Sequence, residues 1–199
     1  MKKARFWILM SVYLVLVLAD GALTYYNTPD LFMEANPLVA KLGLGWGALF
    51  VVNLVTFALT AAAAGYEAFR YQTIETNEIN FTRYSSQIVY HRPDRFWMGV
   101  GIKDFRPILA SVGYALPACL VAGRAIIVME WVGITFNIPM NVYYRINQGI
   151  FFGKVELFVA GVLTVVLMLY WLNREFKAQL PAARQRLHAQ LAENKKESI

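Results

Sequence analysis

Residues 6–26 read FWILMSVYLVLVLADGALTYY, an apolar run broken by a single charge, Asp20. An α-helix rises about 1.5 Å per residue, so this run covers about 30 Å, the thickness of a bilayer's hydrocarbon. Three more such runs follow, from about Trp46 to Tyr66, Ile108 to Phe136 and Gly149 to Leu172. Lipid offers no partner to a backbone N–H or C=O, so each run must be helical. The expected fold is all-α, a polytopic four-helix transmembrane bundle. Composition agrees, with 58% apolar and 16% charged residues, against roughly 45–50% and about 25% in soluble domains. One core in a chain of 199 residues could not absorb that excess.

The net charge of +6 is explained by topology. Fifteen of the 19 basic residues precede the first run, fill the segment from about Glu67 to Arg106, or follow the fourth. Cytoplasmic flanks carry such an excess, which predicts both termini in the cytoplasm and no nucleic-acid partner. Lys2, Lys3 and Arg5 before an apolar run also have the form of a signal peptide, but the run continues through Leu23 and Tyr26, which favours an uncleaved span. The chain divides into a transmembrane domain over 1–176 and a cytoplasmic tail over 177–199, helical or disordered. Leu180, Leu187 and Leu191 have helical spacing, and Pro181 is placed to open a helix there. In the 67–106 loop, Thr76 to Thr82 alternates polar and apolar residues and suggests an extended stretch. The loop's Tyr84, Tyr90, Phe96, Trp97 and Phe105 are expected at the headgroups.

Function is sought in the polar residues inside the spans, each costly in hydrocarbon. Tyr13, Asp20, Thr24 and Asn27 share one helical face, as do Asn53, Thr56 and Thr60. The third run carries Arg124 and Glu130, the fourth Lys154, Glu156 and Thr164. Counting from the helix ends places Asp20, Asn53, Arg124, Glu130 and Glu156 in the outer half of the membrane, with the inner half nearly free of charge. These residues outline an outward-facing polar pocket, closed below by apolar packing. Arg124 and Glu130 lie six positions apart, about 120° around the helix. Arg124 should therefore reach a carboxylate on another helix, Asp20 or Glu156 first. Such residues serve either as interhelical ion pairs or as a ligand site.

Asn27-Thr28-Pro29-Asp30 and Asn36-Pro37 are helix-start signals. They predict short turns over the pocket that bring Asp30, Glu34 and Asn36 towards it. The pattern Asp20-x-x-x-Thr24 followed by Glu34-x-Asn36-Pro37-Leu38 resembles a small family of uncharacterised prokaryotic membrane proteins. That resemblance covers about residues 13 to 65 and implies no activity.

Neither Cys119, the lone cysteine, nor His91 and His188 can build a zinc, haem or iron–sulfur centre, and no cofactor is expected. The expected role is a non-catalytic component of the inner membrane that binds a small molecule, a lipid or a partner membrane protein. Its ligand-binding residues would be Asp20, Thr24, Glu34, Asn36, Asn53, Arg124, Glu130 and Glu156. One alternative is an intramembrane enzyme acting on a lipid or isoprenoid, with Asp20 or Glu34 as base and Arg124 holding an anion. Another is cation handling by Asp20, Glu34, Glu130 and Glu156.

Overall fold

The computed structural model describes residues 2–32, 42–93, 101–151 and 154–197. Its elements are α1 (Lys2–Asn27), α2 (Trp46–Gly65) running into a π-helical turn (Tyr66–Arg70), α3 (Phe81–Tyr90), α4 (Arg106–Thr135), α5 (Asn141–Phe151) and α6 (Val155–Glu197). Among the described residues there are helices and no strands. Four helices, α1, α2 with its π turn, α4 and α6, are long and apolar enough to cross a membrane. They wear their largest apolar side chains outward: Leu18 on α1, Phe50 on α2 and Val165 on α6 are each more than half exposed. Water would penalise that surface heavily, whereas lipid covers it without cost.

The third span, α4, is the hub. It packs along α1, α2 and α6, while α1 and α2 touch each other sparingly. Small residues make this possible, since lipid supplies no hydrophobic drive and helices must gain from close contact. Gly113 shows how close: a Cβ built there would overlap the Ala63 carbonyl of α2. The sparse α1–α2 contact leaves a gap between those helices, and the candidate site opens into it.

At the end bearing both termini, the segment after α2 folds back onto the bundle. Tyr71 packs on Trp171 and Ala110, and the α3 residues Tyr84 and Ile88 pack on Phe176. Tyr84, expected at the headgroups, is fully buried. The expected extended stretch is not formed either. Residues 71–80 have no regular structure, and Asn80 ends them by accepting from the backbone N–H groups of Thr82 (3.0 Å) and Arg83 (3.3 Å) as the cap of α3.

The fourth span differs at both ends from its sequence reading. Gly149 belongs to the separate helix α5, and the span begins at Val155. Asn147 explains the break, because its side-chain oxygen accepts from the Val155 N–H (3.1 Å) and so caps α6 from outside it. At the other end α6 runs through residue 177 and through Pro181 without interruption. Pro181 cannot donate to Lys177, but contacts on either side hold the helix: Gln179 donates to the Glu78 carbonyl (2.9 Å), Ala183 is fully buried, and Arg186 pairs with Glu75.

Candidate functional site

On α1, steps of seven and four bring Tyr13, Asp20 and Thr24 to one face, and all three are buried. One further step of three places Asn27, whose amide donates to Thr135 on α4 (2.8 Å) and fixes the end of α1 against the hub. On α2 the Asn53 amide donates back to the Leu49 carbonyl (3.0 Å), which leaves its oxygen turned inward. Arg124 reaches both helices from α4, donating through Nη1 to Asp20 and through Nη2 to Asn53. An unpaired guanidinium in hydrocarbon would be expensive; here the carboxylate opposes its charge and the amide occupies a second donor. Tyr13 stacks on Phe57 with ring centroids 5.9 Å apart and lies beside the same guanidinium.

This centre is not packed over. It forms one wall of a cavity of about 490 Å³ between α1 and α2, within the size range of small-molecule sites. Leu14, Val17, Leu18, Phe50 and Leu54 line the apolar part, while Asp20, Thr24, Asn53 and Arg124 supply the polar part. Leu18 and Phe50 are more than half exposed, so the cavity opens sideways to the lipid face. Its upper edge is Trp46, which donates to the Pro29 carbonyl (2.9 Å) and packs edge-on against Tyr25. Arg124 therefore selects Asp20 over Glu156, the other candidate raised by the sequence.

The remaining predicted residues lie elsewhere. Glu130 is turned away from the cavity and accepts from the Tyr143 hydroxyl and, at 3.3 Å, from the Asn147 amide, both on α5. Burial, reinforced by that carboxylate, pushes the Tyr143 phenol above its ordinary pKa. Glu156 lies close enough for its charge to act on Tyr143, and it is absent from the cavity wall. Glu34 and Asn36 fall outside the described residues. Asp30 accepts from Thr28 (3.1 Å) and the Phe32 N–H (3.1 Å) and serves the turn. Among the described residues no three His, Cys, Asp or Glu side chains come together as metal ligands would, and Glu34, one of the four residues of the cation reading, lies outside them.

A second charged layer closes the bundle at the termini end, where the sequence had suggested apolar packing. Glu67 and Glu175 are both 2% exposed. Arg174 donates to each (3.1 and 3.0 Å), Thr73 donates to Glu175 (2.6 Å), and Lys2 and Arg5 lie 3.7 and 3.9 Å from Glu67. Arg5 also lies over the Tyr114 ring at 3.4 Å and donates to the Tyr114 carbonyl. Spacing carried the signal: Glu67 follows Thr60 by seven, on the face of Asn53 and Thr60, and Glu175 follows the buried Trp171 by four. A count of charges at span ends treats such residues as solvated and so misses them.

Comparison of the chain with protein-family models, with curated proteins and with solved structures yields no match.

Proposed function

We propose that this chain is a non-catalytic component of the inner membrane, with both termini in the cytoplasm, that binds a ligand through the Asp20–Asn53–Arg124 centre. One observation carries the reading: the ion-paired centre opens onto a cavity of about 490 Å³. Three polar side chains serving only to join helices would be sealed by apolar packing, because an uncovered ion pair gains nothing from a void beside it. Asp20 is ion-paired with Arg124, an arrangement that suits holding a ligand better than abstracting a proton.

The test separates binding from scaffolding. In detergent, the double variant Asp20→Asn/Arg124→Met keeps most of the thermal stability of the parent, because no charge is left unpaired. The same variant loses the lipid or small molecule that mass spectrometry detects on the purified parent protein. Collapse of the double variant, or identical bound molecules on both proteins, would sink the proposal.

A further inference from the structure

We infer that the occupant of the α1–α2 cleft is an uncharged lipid whose head carries a hydrogen-bond-accepting oxygen, such as a long-chain alcohol or ketone. This rests on the ligand-binding reading above and names the ligand class.

Charge is the first reason. A guanidinium carries five N–H donors, and Asp20 and Asn53 engage one nitrogen each. Even with the Tyr13 hydroxyl beside it, the guanidinium has more N–H groups than these partners take, while its positive charge is already opposed. A phosphate or carboxylate head entering the cavity would meet the Asp20 carboxylate, and like charges brought together in a dry site oppose binding. A neutral oxygen accepts the same N–H groups without that repulsion.

Depth is the second. Asp20 lies seven residues before the end of α1, and Asn53 seven after the start of α2, so the centre sits about 10 Å below the helix ends. Phospholipid headgroups lie outside the hydrocarbon. A head that reaches Arg124 must be carried into it, which strongly favours an uncharged group.

Shape is the third. The exposed Leu18, Phe50 and Leu54 at the rim admit a chain from the side, and Phe50, Phe57 and Trp46 give the head aromatic walls.

The probes are geranylgeraniol and geranylgeranyl monophosphate, each tritiated, with the full chain in phosphatidylcholine nanodiscs. Two variants accompany the parent. Gly21→Leu fills the cleft, since Gly21 lines it and a Cβ there meets no atom within 4 Å; Asp20→Asn/Arg124→Met removes the polar centre. Saturable binding of the alcohol is expected, at least about tenfold tighter than that of the phosphate and weakened about tenfold or more by each variant. If the phosphate binds as tightly as the alcohol and Gly21→Leu still removes it, the uncharged class is wrong and the site stands. If neither probe's binding responds to Gly21→Leu, in a variant whose melting temperature matches the parent, the cleft is not a ligand site and both readings fall.

Discussion

Arg124 is the residue on which the polar centre turns, because it is the cation shared by α1, α2 and α4. Asp20→Asn alone leaves the half-buried Arg124 without its counter-charge inside the bundle and should cost about 3 kcal/mol, the low end for a buried pair, read as a drop in melting temperature in detergent. The double variant should recover most of it, and a double-mutant cycle measures the coupling. A second residue-scale prediction concerns Glu67, which sits among Lys2, Arg5 and Arg174. Glu67→Gln should cost about 2 kcal/mol, less than a fully buried pair because its cations are about one-third exposed. Thermal unfolding compared with Arg83→Gln, an exposed control, checks it. Asp104 supplies a pH dependence. Its carboxylate accepts from the Arg106 side chain and backbone N–H, which holds its pKa below the ordinary Asp range. A depressed folded pKa contributes stability above the unfolded value of about 4 and loses it as pH falls through the folded value. The stability gap between the parent and Asp104→Asn should therefore be constant at neutral pH and close in acid. At this scale Asp20 and Arg124 were legible because ionisable groups inside apolar runs stand out. Glu67 and Glu175 were not, because charges at span ends are ordinarily solvated.

Among elements, α4 has the most exacting packing. Gly113→Leu would push α2 away at Ala63 and should destabilise by about 3 kcal/mol, whereas Gly21→Leu on the open cleft should be neutral; melting temperatures of the two variants test the contrast. Helix existence followed from apolar length alone. Helix limits did not, because three of them were set by particular side-chain contacts, one local and two across the fold, that apolar length does not encode. Asn147 caps Val155 and separates α5 from α6. Asn80 starts α3 where an alternating pattern suggested extension. Gln179 and Ala183 hold α6 together across Pro181.

For the whole molecule, four membrane-length helices place both termini at one end, and the proposed topology puts that end in the cytoplasm because the basic flanks lie there. In a Cys119→Ser background, an impermeant maleimide should label Asn141→Cys on intact cells and Arg83→Cys only after lysis; the reverse pattern would invert the topology. Sequence by itself determined the membrane-spanning class, the number of spans and the polar faces of the first two, because hydrocarbon punishes every exception to apolar character and so makes exceptions visible. Only tertiary structure decided which exceptions meet. Arg124 had two carboxylates within plausible reach, and the packing of α1 and α2 on α4 chose Asp20 and Asn53 while Glu130 turned to Tyr143. The gap between α1 and α2 was likewise invisible in the sequence, since it arises from how three helices share one hub rather than from any residue in them.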